Sequence, residues 1–196
     1  MDSAPQKTAL LVMDVQRGVV ERYLGDQAIL DRLRLAVDAA RAMGVPVIFV
    51  RVAFRPGHPE VSTRNRAFSA IASRAAAPFG LDDEATELHP ALEPRAEDPI
   101  VLKKRVSAFA GSDLEVLLRS LGITHLVLSG IATSGVVLST LREAADRDYE
   151  LSVLSDACAD ADDEVHRVLT EKIFPRQAEV LSVAEWAARA LAGPSE

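Results

Sequence analysis

This chain of 196 residues carries 22 Lys and Arg against 29 Asp and Glu, a formal net charge of −7, and so lacks the positive excess with which proteins bind nucleic acid or anionic membranes. Hydrophobic residues make up 48% of the sequence, enough for one domain, residues 1–196, to bury its core without disulfides or metals. Since no apolar stretch reaches about 18 residues and the N-terminal residues lack a basic, apolar leader, we expect a cytoplasmic protein without a membrane-spanning helix.

Short apolar runs rich in β-branched residues alternate with stretches of helical periodicity along the chain. In chain order the predicted elements are a strand at Thr8–Met13, a helix at Asp26–Met43, a strand at Val45–Val52, a long loop, a helix around Phe68–Ala76, a strand at Ile100–Leu102, a helix at Asp113–Leu121, a strand at Thr124–Ser129, a loop at Gly130–Gly135, a helix at Val136–Arg147, a strand at Glu150–Leu154, a helix at Asp163–Ile173, a strand at Ala178–Leu181 and a helix at Val183–Leu191. Ser112 and Glu115 form an S-x-x-E capping box at the start of the third of these helices.

This alternation is typical of an α/β fold. The first apolar run, TALLVM, stops at Asp14, as expected for a parallel strand covered on both faces. Because crossover connections between parallel strands are right-handed, we predict a three-layer, Rossmann-like fold. Its middle layer is an open parallel sheet of about six strands, and helices cover both faces of the sheet.

Three polar features follow predicted strands. Asp14 ends the first strand, Lys103 ends the third, and the loop GIATSG follows the fourth, so all three are expected at the carboxyl edge of the sheet. A carboxylate and an ammonium that meet there form an acid/base pair; the alternative is that Asp14 caps a neighbouring element and Lys103 is a solvated strand end. The loop offers backbone N–H groups to an anion or oxyanion, unless it is an ordinary helix start capped by Thr133 or Ser134.

Three motifs in order resemble those of the isochorismatase-like cysteine hydrolases, which include isochorismatases, nicotinamidases and N-carbamoylsarcosine amidases. They are LLVMDVQ (Leu10–Gln16), KKRVSAF (Lys103–Phe109) followed by SDLEVLLRSLGI, and LVLSGIATSGVVLSTLREAADRDYELSVLSDACAD (Leu126–Asp160). The resemblance covers nearly the whole chain. It implies that Asp14 is the catalytic carboxylate and Lys103 the catalytic lysine, whereas Lys104 is assigned to the solvated surface. It also implies a cis peptide at Ile131–Ala132 whose backbone helps to form an oxyanion hole.

The chain departs from the family pattern at the nucleophile. The amidases carry their cysteine three residues after the G-[IV]-[AT]-T stretch, and Val136 stands there in this sequence. A valine cannot attack a carbonyl, so acyl transfer through a thioester is not implied. Cys158 matches a position where family members often have a cysteine without a catalytic duty, and a buried structural thiol is its expected state. A hydrolase that uses Cys158 as its nucleophile is the alternative.

Isochorismatases also lack the cysteine, because cleavage of an enol ether needs a proton donor and a water molecule. The resemblance therefore implies a hydrolase of a small, anionic metabolite, with Asp14 as the general acid that protonates the vinyl carbon and Lys103 stabilising charge nearby. The alternative is a binding protein on the same fold that has lost its nucleophile.

The remaining expectations concern the ligand and the assembly. An anionic substrate such as isochorismate requires cationic partners, for which the candidates are Arg55, His58, Arg64 and Arg105. The metal site of the nicotinamidases is not matched by His58 alone, so no metal and no cofactor is expected. By the habit of the family we expect a homodimer or homotetramer whose partner is a small-molecule substrate.

Overall fold

The structure, a computed structural model, describes residues 7–23, 27–72 and 79–192. In chain order the elements are β1 (Thr8–Met13), α1 (Arg17–Tyr23), α2 (Ala28–Ala42), β2 (Val47–Val52), α3 (Arg66–Ala72), β3 (Ile100–Lys103), α4 (Leu114–Leu121), β4 (His125–Ile131), α5 (Leu138–Ala145), β5 (Glu150–Ala159), α6 (Asp163–Val168), β6 (Glu179–Leu181) and α7 (Val183–Ala192). Short 3₁₀ turns lie at Glu84–Thr86, Pro90–Leu92 and Phe174–Arg176, and π-helical turns lie at Thr133–Val137 and Leu169–Ile173.

The described strands form one parallel sheet in the order β3-β2-β1-β4-β5-β6. The chain leaves β1 toward β2 on one side and returns to β4 on the other, so the strand order reverses between β1 and β4. In open α/β sheets a crevice for ligands forms at such a reversal, outside the carboxyl ends of the strands. Asp14 follows β1 at this point.

A hydrophobic core covers each face of the sheet. Because side chains alternate along a strand, Leu11 and Met13 of β1 join the cluster that holds α4 and α5, whereas Leu10 and Val12 join the cluster that holds α2 and α7. The predicted three-layer α/β fold with a parallel sheet of six strands is confirmed.

Most predicted strands are confirmed within two residues, and β1 agrees at both ends. The exception is β5, which continues five residues beyond its predicted end at Leu154. After a register shift next to Gly130, the residues Cys158 and Ala159 pair with the end of β4. This pairing depends on the neighbouring strand, so the mixed sequence after Leu154 does not reveal it.

The loop predicted at Gly130–Gly135 is wrong at both ends, because Gly130 and Ile131 belong to β4 and a π-helical turn begins at Thr133. The capping box is also wrong. Ser112 Oγ accepts the backbone N–H of Leu114 at 3.2 Å, while the Glu115 carboxylate reaches forward to Arg119 Nε at 2.7 Å.

Other helix predictions need smaller changes. The predicted start of the first helix at Asp26 and the predicted end of the second at residues 73–76 lie outside the described residues. The seven-residue helix α1 was not predicted, since so short a segment shows little periodicity.

At Gly130 there is no room for a side chain against β1. Its φ is +133°, and a Cβ added there would lie 2.0 Å from the carbonyl oxygen of Met13. A side chain at this position would therefore push β4 away from the residue that precedes Asp14.

Gln16 fixes the segment around Thr86 against the sheet. Its side chain, 1% exposed, donates to the carbonyls of Val52 and Thr86 at 3.0 and 2.8 Å and accepts the Val52 N–H at 2.9 Å. All of its bonds are to backbone groups shielded from water.

We predict that Gln16→Ala lowers the free energy of unfolding by about 2–4 kcal/mol, because buried backbone groups lose their partners. Chemical denaturation measures the change. Gln27→Ala, at an exposed position without a side-chain capping bond, is the control. Equal small losses for the two variants would contradict the anchoring role of Gln16.

Candidate active site

The site begins where β1 ends at Asp14. This residue has a left-handed φ of +56°, a conformation that costs a non-glycine residue about 1–2 kcal/mol. Its N–H donates to the Val50 carbonyl at 2.8 Å, so the neighbouring strand β2 holds the backbone in place. Residues in such conformations cluster at functional sites.

Lys103, the last residue of β3, reaches across the end of β2 to Asp14. Its Nζ lies 2.8 Å from Asp14 Oδ2 and donates to the carbonyls of Arg105 and Val106 at 2.9 and 3.0 Å. An ammonium has three N–H donors, and here each has an acceptor. The lysine side chain is only 2% exposed, so these three acceptors hold its Nζ in place away from bulk water.

The Asp14 carboxyl is unevenly satisfied. Oδ2 faces Lys103, whereas Oδ1 is buried and accepts no hydrogen bond from any described residue. Burial raises the pKa of Asp14, and the Lys103 ammonium opposes part of that rise. Asp14 is therefore placed to hold a proton at a higher pH than an exposed aspartate does.

Asp14 and Lys103 line a cavity of about 160 Å³. Much of its wall is apolar: Val19, Val52, Phe68, Phe79, Val106 and Ile131. Sequence analysis missed its third charged residue, Arg22, which lies on α1. The available signal was its position eight residues after Asp14, in the connection that leaves the carboxyl end of β1.

The loop after β4 supplies another part of the wall through Ala132, Gly135 and Val136. The peptide bond between Ile131 and Ala132 is cis, as the resemblance implied. The π-helical turn starts next to Ala132, which is its N-cap residue without a side-chain capping bond. Capping by Thr133 or Ser134, the alternative considered from the sequence, is therefore wrong.

The structure brings Asp14, Lys103 and Val136 to one cavity, but not the predicted arginines. Arg55 is 66% exposed and pairs with Glu60 at 2.7 Å. Arg105 donates to the Lys104 carbonyl at 2.6 Å. Neither residue is part of the cavity wall, because local partners hold both guanidinium groups elsewhere.

His58 and Arg64 are also outside the wall; the His58 ring packs 5.7 Å from that of Phe54. Lys104 is not solvated as expected. Its Nζ donates to the Ala53 carbonyl and lies 4.0 Å from Glu60, and burial lowers the pKa of this amine.

Cys158 is a buried, free thiol. It is 4% exposed in the core and pairs with Gly130 in the sheet. Burial raises its pKa to about 12, so the nucleophilic thiolate is scarce at neutral pH. The cavity wall does not include it.

The residues that the structure describes contain no group of three or more His, Cys, Asp or Glu side chains arranged to hold a metal ion. None of their helices combines the length and the apolar character needed to cross a bilayer.

Residues 8–185 match the isochorismatase domain family. The chain belongs to the isochorismatase family. It is 34% identical to the uncharacterized isochorismatase family protein YecD of Escherichia coli O157:H7, with 91% of this chain and 93% of that protein covered. The ureidoacrylate amidohydrolase RutB of Serratia proteamaculans is 33% identical, with 79% of this chain and 70% of that protein covered.

Solved structures of the isochorismatase family agree with this fold. An isochorismatase family protein from Burkholderia thailandensis superposes with a TM-score of 0.81 at 33% identity, covering 97% of this chain and all of that one. The chain is thus a hydrolase of the isochorismatase family with a three-layer α/β fold. Its cavity lies where an open sheet of this kind binds ligands.

Proposed function

We propose that this isochorismatase-family hydrolase cleaves a small, anionic vinyl ether with water, without a covalent intermediate on a cysteine. The main support for this proposal is the buried Asp14 carboxyl. Its Oδ1 has no partner among the described residues, while Oδ2 is held by Lys103. Val136, in the same cavity wall, supplies no nucleophile. Isochorismate is the specific substrate to test.

Asp14 acts first, as a general acid. Its proton passes to the terminal vinyl carbon, and the electron pair of the double bond forms the new C–H bond. The adjacent carbon becomes an oxocarbenium ion stabilised by the ether oxygen. The Asp14 carboxylate formed in this step lies beside the Lys103 ammonium at 2.8 Å, which stabilises it in a poorly hydrated site.

Water completes the reaction. It adds to the oxocarbenium carbon and returns a proton to the Asp14 carboxylate, which restores the acid. The bond between the hemiketal carbon and the former ether oxygen then breaks, and the hemiketal hydroxyl proton is transferred to that oxygen, which leaves as an alcohol. For isochorismate, one water is consumed, and the products are pyruvate and 2,3-dihydro-2,3-dihydroxybenzoate.

The test is hydrolysis of isochorismate in D₂O, with the products monitored by NMR for deuterium in the methyl group of pyruvate. Protonation by an exchangeable acid gives pyruvate with one deuterium in its methyl group. Elimination with transfer of a ring hydrogen instead gives undeuterated pyruvate and an aromatic acid. That second result, or a failure to form pyruvate above the spontaneous rate, would overturn the proposal.

Arg22 is the proposed anchor for a carboxylate of the substrate. Among the described residues that line the cavity, it is the arginine. We predict that Arg22→Gln raises KM by about 10- to 100-fold, the effect of losing a charged hydrogen bond, with little change in kcat. Steady-state kinetics measure both. Arg55→Gln, whose guanidinium pairs with Glu60, is the control, and an equal effect of the two variants would contradict the assignment.

The proposal includes the cytoplasmic location expected from the sequence and the homodimer or homotetramer that the resemblance implies. The acidic net charge of −7 supports a small-molecule substrate rather than a nucleic-acid partner. Sedimentation equilibrium of the purified protein tests the assembly, and a monomer would contradict it.

A further inference from the structure

The turn after the cis peptide is tied to the connection between β5 and α6 at two points. Thr133 Oγ1 and His166 Nδ1 share a hydrogen bond of 2.8 Å. One residue further, the Ser134 N–H donates to Asp160 Oδ2 at 2.7 Å. His166 lies on α6, and Asp160 follows β5 directly.

Both bonds act on the part of the chain that forms the cavity wall. The tied residues Thr133 and Ser134 lie between Ala132 and Val136, which both line the cavity. Thr133 is fully buried, so water cannot replace the histidine as partner of its hydroxyl. Within the turn, the N–H groups of Gly135 and Val137 bond back to the Ala132 carbonyl at 3.1 and 3.3 Å.

Local hydrogen bonds hold the backbone around His166, the partner of Thr133, in place. The Asp162 carboxylate caps α6 by accepting the N–H of Glu164 at 2.9 Å. In the next turn, the Thr170 hydroxyl donates to the His166 carbonyl at 2.9 Å. The backbone on both sides of His166 is therefore held, and the imidazole projects from a fixed point toward Thr133.

We propose that His166, through Thr133, and Asp160, through the Ser134 N–H, are positioning residues for the reaction at Asp14. They fix the turn of residues 132–136 and hence the part of the cavity wall that Ala132, Gly135 and Val136 form beside Asp14. This role rests on the proposed function, but its effect on the shape of the turn exists without substrate. A misplacement of about 1 Å at a site of this kind can lower a rate by about 10²-fold.

Thr133→Val and Thr133→Ser form the matched pair that tests the first bond. Valine preserves the shape and removes the hydroxyl, whereas serine keeps it. We expect Thr133→Val to lower kcat by about 10- to 100-fold with KM changed less than about threefold, and Thr133→Ser to retain most of the activity. Equal kcat values for wild type and Thr133→Val would overturn the proposal.

His166→Ala and His166→Asn test the other partner, because an asparagine amide can occupy the place of Nδ1. Alanine should match the effect of Thr133→Val, and asparagine should restore much of kcat. The double variant Thr133→Val, His166→Ala should be no slower than either single variant, since both remove the same bond. Losses that multiply would contradict a shared action.

A measurement without substrate separates this proposal from the proposed function. In the free protein, Thr133→Val and Asp160→Ala should shift the amide resonances of Gly135 and Val137 and speed their hydrogen exchange, because both amides bond to the Ala132 carbonyl within the turn. Asp160→Asn keeps an acceptor oxygen and should resemble wild type. Unchanged resonances and exchange would overturn the positioning role. An inactive wild type with shifted resonances would overturn only the vinyl-ether assignment.

Discussion

Asp14→Asn should lower kcat for vinyl-ether hydrolysis by about 10²- to 10⁴-fold, the usual contribution of a general acid. The amide has nearly the same shape as the carboxyl and can still face Lys103, but it has no acidic proton to give to carbon. Initial rates of pyruvate formation measure the loss. Thermal unfolding of the same samples shows whether the variant is folded.

A carboxylate-to-amide change elsewhere supplies the control. Asp31 is exposed on α2, so Asp31→Asn should leave kcat within about twofold of wild type. A folded Asp14→Asn variant with wild-type turnover would show that another group protonates the vinyl carbon.

The dependence on pH follows from the same carboxyl. Burial raises the pKa of Asp14, and the acid must be protonated to act, so the rate should fall as the pH rises through this raised pKa. A rate that rises along this limb would indicate that Asp14 acts as a base.

The effect on stability has the same direction. Because the folded state holds this proton more firmly than the unfolded chain, the stabilisation is fully present below the ordinary aspartate pKa of about 3.9 and is lost as the pH rises through the raised value. Comparing the pH dependence of unfolding in wild type and Asp14→Asn isolates this contribution.

The sequence predicts the centre of the site better than its surroundings. Asp14 and Lys103 each follow an apolar run, and parallel strands end at the same edge of a sheet, so local patterns place both residues at that edge. The contact of 2.8 Å between them was one of two alternatives that these patterns left open. Arg55 shows the limit of such reasoning. Its position after β2 suits a ligand, but Glu60, five residues later, takes its guanidinium group.

Contacts between distant parts of the chain were not predictable from spacing. Thr133 and His166 are 33 residues apart, and neither lies in a pattern that indicates the other. The extension of β5 likewise depends on pairing with β4 beyond a register shift. In both cases the packing of neighbouring elements determines the contact, and a local pattern carries no record of it.

Val136→Cys should create a reactive thiol in a protein whose own cysteine is buried. Cysteine is smaller than valine, so the buried position can accept it without overpacking. The thiol would share the cavity with the Lys103 ammonium, and a nearby positive charge lowers a thiol pKa. We therefore expect its pKa below the ordinary value of about 8.5, in contrast to Cys158, whose pKa burial raises to about 12.

Alkylation by iodoacetamide, with the modified peptide located by mass spectrometry, measures this difference. At pH 7 the introduced thiol should react in the native protein, whereas Cys158 should react only after unfolding. Val137→Cys is the matched control, because Val137 is fully buried in the core and absent from the cavity wall, and its thiol should stay unmodified.

The pH dependence of the alkylation rate decides between two interpretations of Val136. A midpoint below about 8.5 supports its alignment with the nucleophile of the amidases, because that position requires a thiolate to form readily. An ordinary or raised midpoint would contradict the alignment. Val136 would then be a wall residue that does not stand in the place of the nucleophile, and its identity would carry no information about the reaction.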